Sequence, residues 1–345
     1  MPPHRFDREP VGDIPVIRQT RRTLCATAVL CAVLAPAATM AQPAYPTKTI
    51  TIVVPFTAGG GVDVMARLLA EKLRGSLGQQ VIVDNKPGAS GMLGALAVVR
   101  APADGHTLLL GSAGETAINP FIYKAKMQYA PEKDLAPITP IVRVPNVLVT
   151  KPNAPFKTVD ELVAFAKKNP GKLSYATSGV GNPQHLNGEL LEELAGVHMV
   201  HVPYRGASGQ LVDVAGGNVD MTFVSMAAAG AFIKDGKVKA IAVTGAKRAP
   251  FAPDVPAIAE SKAAPKYALE NWFGLFAPAA TPAPVVEKIN AAVVQALQDP
   301  ELAKRMAEQG GITAPMSPAQ FRDFIKTESA QYGRIVEFAK ITPDN

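Results

Sequence analysis

The stretch TITIVVPFTAGGGVDVMARLLAEKL, residues 49–73, decides how the rest of this 345-residue chain is read. β-Branched residues at 50–54 give way to Pro55, then to a loop carrying Gly59, Gly60 and Gly61, then to Val64, Leu68, Leu69 and Leu73 at helical spacing. The spacing predicts a strand, a glycine turn and a helix that starts near Asp63. Glycine permits positive φ and a close backbone approach, and Gly60 is expected to hold such a conformation. The helix start turns unpaired N–H groups and a positive dipole end toward the loop, which suits an anion. The same glycines would equally serve a plain β–α turn with Asp63 as its cap, so the decision passes to the rest of the chain.

A hydrophobic fraction of 48% with 19% charged residues is that of a folded globular chain, and 345 residues suffice for two domains. Residues 1–41 read as a cleavable secretory signal: Arg18, Arg21 and Arg22 precede an apolar run of about 11 residues and then small residues ending at Ala41. A membrane span needs ~20. Arg21-Arg22 also fits a twin-arginine signal, but basic residues belong to any such n-region, and the Sec route is favoured over the twin-arginine one. Leu30 before Cys31 argues against a lipoprotein. The 2 cysteines, Cys25 and Cys31, fall in the segment to be removed, so the mature chain is expected to hold no disulfide, thiolate zinc site or catalytic thiol. Of 35 Lys/Arg and 29 Asp/Glu, five and three lie in residues 1–41, leaving a mature net charge of +4. No basic run of the kind that binds nucleic acid is present.

The opening pattern recurs downstream. Residues 80–84, 106–110, 173–176, 198–202, 221–224 and 239–243 read as further short strands. GSAG at 111–114 and TSGVGNP at 177–183 close two of them at the carboxyl end, where open α/β sheets bind ligands. Gly78 falls in the turn after the first helix. Thr158 with Glu161 forms a capping box, and Thr281-Pro282 and Ser317-Pro318 open helices of the C-terminal segment. Two extended stretches, 138–149 and 272–278, cross the pattern; Pro140 and Pro145 bar a regular central strand over the whole of the first. Strands alternating with helices imply parallel βαβ units. The crossings imply an outer domain, 45–145 plus 272–345, with a middle domain, 146–271, inserted in it and a cleft between them.

Six blocks carry a resemblance: PFTAGGGVD (55–63), DNKPGASGMLG (84–94), PADGHTLLLGS (102–112), SYATSGVGNPQHL (174–186), VPYRGASGQLVDVAGGNVD (202–220) and FGLFAPAATP (273–282). In this order the chain from about residue 45 to 341 resembles the periplasmic solute-binding proteins of tripartite tricarboxylate transporters, the Bug family. The resemblance implies an α/β fold of the type II periplasmic binding protein kind: two α/β domains joined by two crossing segments, with the ligand cleft between them. It implies a periplasmic monomer without cofactor or metal. Such a protein closes on a small carboxylated solute, a di- or tricarboxylate, an amino acid or an aromatic acid, and passes it to the membrane permease subunits. The family's facing loops map to Phe56, Thr57, Ala58, Gly59, Gly60 and Asp63 on one side and to Thr177, Ser178, Gly179 and Asn182 on the other. Ser112, Ala113, Tyr204, Gly206 and Ser225 map to the cleft margin. His106 stands where the family commonly has tyrosine, at the start of a strand.

Chemistry beyond binding finds little footing. A dinucleotide fingerprint would need glycine at Val64 or at Gln184. Ser90, Ser178 and Ser208 lack the glycines of a nucleophile elbow, having Met92, Ala176 and Gln210 in those places. His198 and His201, three apart on a strand, point to opposite faces and read as ordinary strand histidines rather than a metal pair. His185 reads as a capping or packing residue more than a ligand contact, and Trp272 and Phe273 as hinge packing. Arg205 fits a carboxylate partner and a solvated charge equally. Asp63 is the one titratable group the sequence puts in the cleft, so no catalytic residue is expected. The alternatives are a secreted hydrolase or isomerase acting on a small carboxylate, and a purely structural envelope protein. Binding alone needs no arginine clamp. Four or five hydrogen bonds to a charged group at ~1.5–3 kcal/mol each, with a helix N-terminus and less the cost of association, reach micromolar affinity.

Overall fold

The computed structural model describes residues 45–204 and 207–343; the secretory signal expected at 1–41, Arg205 and Gly206 lie outside them. In chain order the strands are β1 (Ile50–Val54), β2 (Val81–Asn85), β3 (Thr107–Ser112), β4 (Leu135–Val144), β5 (Asn146–Thr150), β6 (Ser174–Thr177), β7 (Val200–Pro203), β8 (Met221–Ser225), β9 (Lys239–Val243), β10 (Asn271–Pro278) and β11 (Ile312–Thr313). The longer helices are α1 (Gly61–Leu77), α2 (Met92–Val99), α3 (Val159–Lys168), α4 (Pro183–Ala195), α5 (Ala207–Gly216), α6 (Met226–Lys234), α7 (Ala283–Leu297), α8 (Pro300–Glu308) and α9 (Pro318–Phe338).

The opening stretch forms strand, turn and helix, with α1 starting at Gly61 rather than at Asp63 and burying Met65, Leu69 and Leu73 against the sheet. Gly78 ends it in the left-handed conformation, φ 66, with its N–H bonded to Arg74 O. Among the described residues the strands make two sheets, ordered β11-β4-β10-β3-β1-β2 and β7-β6-β8-β5-β9. Parallel pairing holds for β2-β1-β3 and for β7-β6-β8, whereas β4, β5, β10 and β11 run antiparallel to their neighbours. The parallel βαβ units expected from the alternation are those two sets, and antiparallel pairing is added at the crossings. Its physical reason is the crossing: β4 runs on through Pro145 into β5, and β10 brings the chain back, so these strands are set by the hinge and not by a crossover helix.

β4 is a central strand although it contains Pro137 and Pro140. Its ladder with β10 shifts register between Phe273 and Gly274 and again between Leu275 and Phe276, the irregularities at which a strand tolerates proline. Trp272, 1% exposed, packs edge-on to Phe321 and Phe324 of α9 and so fixes the return crossing, as hinge packing requires. Arg143 pairs with Glu270 beside it. One hydrophobic cluster runs from Leu109 and Trp272 of the first sheet to Tyr175 and Phe223 of the second.

Local capping follows the sequence with one shift. Thr158 accepts the Glu161 N–H at 3.2 Å, but the Glu161 carboxylate reaches Lys157 N (2.7 Å), so the reciprocal bond falls one residue before the cap. Ser317 and Gln320 form a full capping box on α9, while α7 starts behind Pro282 with no side-chain cap. His106 is buried beside Tyr45 and accepts the Thr47 N–H.

Packing of α4 on the second sheet depends on Gly188. A Cβ there would lie 2.5 Å from Tyr175 Cζ and 2.8 Å from its Cδ2, and the Tyr175 ring is fully buried. Gly188→Val is therefore expected to destabilise the fold by about 3 kcal/mol, read as a lower urea midpoint at unchanged slope. An unchanged midpoint would mean that α4 can lift from the sheet without loss.

Candidate functional site

The first candidate loop leaves β1 at its carboxyl end, with Phe56 half-buried and Thr57, Ala58 and Gly59 exposed. The positive φ sits at Gly59 (81°), and Gly60 is extended, φ −76° and ψ 165°. The expectation for Gly60 is corrected: it is the N-cap of α1, in a conformation any residue can adopt, and the left-handed turn comes one residue earlier. Asp63 accounts for this. Its carboxylate, 2% exposed, accepts the Gly59 N–H (2.9 Å), Arg67 Nε (3.0 Å) and Asn85 Nδ2 (2.9 Å), and Asn85 Nδ2 also donates to Phe56 O. Burial raises the Asp63 pKa, but the hydrogen bonds from Arg67, Gly59 and Asn85 and the Arg67 charge more than offset it and hold the carboxyl below its usual value. Both oxygens are engaged by protein donors, so Asp63 shapes the loop. Gly60 carries no capping side chain, which leaves the first N–H groups of α1 without an intrahelical acceptor.

The second candidate loop leaves β6. Gly179 and Gly181 take positive φ, 132° and 72°. Most polar groups here are paired within the protein: Ser178 N–H with Gln184 Oε1 (2.6 Å), Gly179 N–H with Thr177 Oγ1 (3.2 Å), and Gly181 N–H with His185 Nδ1 (3.1 Å). Asn182 caps α4 by accepting the His185 N–H at 2.9 Å. Ser178 Oγ accepts from Nε2 of the buried Gln210 (2.6 Å), whose Oε1 takes the Thr222 hydroxyl (2.8 Å). An oxygen that accepts on one side keeps its own hydrogen to donate, and the bond from Gln210 leaves the Ser178 hydroxyl hydrogen uncommitted.

Two histidines brace this loop from behind. His201 Nε2 lies 2.6 Å from Thr177 Oγ1, and its ring stacks on His185 at 3.7 Å and 12°. Burial and the neighbouring His185 push His201 down to about 4, against the pull of Glu189, so it is neutral at pH 7. A depressed histidine adds stability above its ordinary value of 6.5 that is lost as pH falls from there toward 4. His198, exposed, lies 3.6 Å from Glu192 and takes no part. Among the described residues no group of three or more His, Cys, Asp or Glu could hold a metal ion.

At the margin, Ser112 and Ala113 are buried at the end of β3, where the Ser112 N–H and hydroxyl both donate to Glu115 (2.5 and 2.6 Å). Tyr204 continues the second loop's support, donating its N–H to Thr177 O (2.8 Å) and its hydroxyl to Asp213 (2.5 Å). Ser225 caps α6 at the end of β8, the strand beside β6. Gly206 lies outside the described residues. The second loop meets the first lobe at Gly181, where a Cβ would overlap the Ile122 side chain. The sequence reading does not pick Gln184, Gln210 or Glu115 as site residues. Two are ordinary helical glutamines, and the one available signal was that Glu115 is the lone charged residue between 107 and 123. A different place for a solute would be the open groove of about 620 Å³ along α9, lined by Phe121, Gly333, Arg334 and Glu337.

Residues 65–341 match the sequence pattern of the tripartite tricarboxylate transporter family receptor, TctC. Protein BugT of Bordetella pertussis is 33% identical over 315 residues, 91% of this chain and 96% of BugT. Among solved structures, R. palustris Rpa4515 with adipate shares 35% identity at a TM-score of 0.77, covering 86% of this chain and 99% of that one. MatC from Rhodopseudomonas palustris with bound malate shares 32% identity at a TM-score of 0.72, covering 85% of this chain and 100% of that one. Strand-end loops, two α/β lobes and paired crossings thus come together with the sequence match: the chain belongs to the tripartite tricarboxylate transporter receptor family (TctC, Bug), whose members are solute-binding proteins and not enzymes.

Proposed function

We propose that this chain captures a small carboxylated solute between lobes divided at 45–145 plus 272–345 and 146–271, and hands it to the membrane permease subunits of a tripartite tricarboxylate transporter. It acts as a periplasmic monomer after removal of residues 1–41. The observation that carries the reading is the uncapped start of α1 behind an exposed Thr57-Ala58-Gly59 turn, a ready site for a carboxylate. The second loop adds the Ser178 hydroxyl, while Asp63 and Asn182 act through the loops they hold. Relatives captured with adipate and with malate support a carboxylate as the ligand class.

Calorimetric titration with adipate, malate and aromatic monoacids is expected to give micromolar binding, about −8 kcal/mol, with the ligand recovered unchanged. Binding of neutral or cationic solutes alone would contradict the reading. Mass spectrometry of the exported protein is expected to find Gln42 at its N-terminus, and a mature mass that still includes Cys31 would contradict the cleavage site.

A further inference from the structure

Glu115 is fully buried, and among the described residues no ion pair reaches it. Its oxygens are held by one neighbour, Oε1 by the Ser112 N–H and Oε2 by the Ser112 hydroxyl. Two glycines make room for it: a Cβ at Gly91 would lie 3.1 Å from Oε2, and one at Gly111 would lie 2.9 Å from Oε1. Gly91 ends a run of four residues at positive φ, Gly88, Ala89, Ser90 and Gly91 (φ 131°, 48°, 52° and 85°), pinned by Asn119 Nδ2 on Ser90 O at 2.9 Å. Two non-glycine residues held at positive φ store strain that the surrounding packing has to sustain. The carboxyl sits in a π-helical turn, Gly114–Ile118, directly after the end of β3.

Of the charged and titratable groups on the elements around it, Tyr129 faces Glu115 and the others named here are turned elsewhere. The Tyr129 hydroxyl donates to the Glu115 carbonyl, Glu132 and Lys133 are exposed, and Asp134 accepts the Ala130 N–H. On α9, Glu328 accepts from Tyr332, Arg334 pairs with Glu193 and Lys326 with Asp323.

We propose that Glu115 is a positioning residue that couples solute capture to the uptake of one proton, an inference that rests on the carboxylate reading of the cleft. Ionised, Glu115 draws both Ser112 hydrogens inward and sets a negative charge behind the loops. On binding, one proton passes from solvent to Oε2, which then donates to Ser112 Oγ. The serine hydroxyl stops donating to Glu115, and its hydrogen turns to the solute. Burial pushes Glu115 up to about 7, so the step falls near neutral pH. Glu115→Gln presents an N–H where the protonated acid presents its O–H.

The test is calorimetry with adipate and with malate from pH 6 to 8, in buffers of different ionisation enthalpy. Wild-type affinity is expected to fall about tenfold across this range, with proton uptake approaching one at the upper end, and Glu115→Gln is expected to bind without either dependence. Carbon-13 titration of the ligand-free wild type is expected to place the Glu115 midpoint near 7, and needs no variant to fold. Binding without proton uptake, a variant that keeps the wild-type slope, or a midpoint at the ordinary glutamate value would overturn the inference alone. Failure of both diacids to bind at any pH would overturn the carboxylate reading and the inference with it.

Discussion

Asp63→Ala is expected to lower diacid affinity at least ~100-fold, about 2.7 kcal/mol, while the protein still unfolds in one cooperative transition. The substitution removes the acceptor shared by Gly59 N–H, Arg67 and Asn85, so the turn ahead of α1 loses the bond that sets its left-handed residue. Arg67 is half-exposed and water replaces part of what it loses, which limits the stability cost to ~1–2 kcal/mol. Gly78→Ala provides the contrast: it strains a left-handed helix end at a cost of ~1 kcal/mol and leaves affinity unchanged. Calorimetry and thermal melts of both variants decide the matter. Near-native affinity in Asp63→Ala would show that the glycines alone set the loop.

Glu115→Gln is expected to be more stable than the wild type at pH 8 by about 3 kcal/mol, and equal to it near pH 4. The Glu115 pKa is raised from 4.5 to about 7 by burial. Such a group contributes stability that is fully present below its unfolded value and is lost as pH rises through the folded one. Glutamine keeps both bonds to Ser112 without the charge, so the difference opens between pH 4.5 and 7. Urea melts at the two pH values measure it, and equal midpoints at pH 8 would mean that the carboxyl stays solvated. His201 works in the opposite sense, since its contribution disappears as pH falls from 6.5 toward 4.

The fold was legible where period and punctuation agree. β-Branched residues 50–54, the glycine turn and the Leu68, Leu69, Leu73 spacing specify β1 and α1 without help from distant residues. Pro140 was harder to read, because a sequence does not show that β10 will shift register opposite it. Antiparallel pairing of β4 and β5 was hidden for a related reason: strand direction depends on which lobe the chain enters, and that is a long-range property. At the site, the loop positions were visible as small residues after strands. What sets their conformation was not. Asp63 reads as a cap, yet it closes a network with Asn85 of β2; His185 reads as a capping or packing residue and His201 as an ordinary strand histidine, yet they receive or face loop groups across 24 or fewer residues. Glu115 carries no motif at all, and its meaning comes from Gly91 and Gly111, which meet it only in the folded chain.

The central claim is that the two strand-end loops together hold the solute. Amide chemical shifts of the nitrogen-15-labelled protein, followed during titration with adipate, test it most directly. The account predicts saturable shifts centred on residues 57–62 and 178–182, with the α9 groove around Phe121 and Gly333 unmoved. Shifts centred on that groove, with both loops silent, would contradict it.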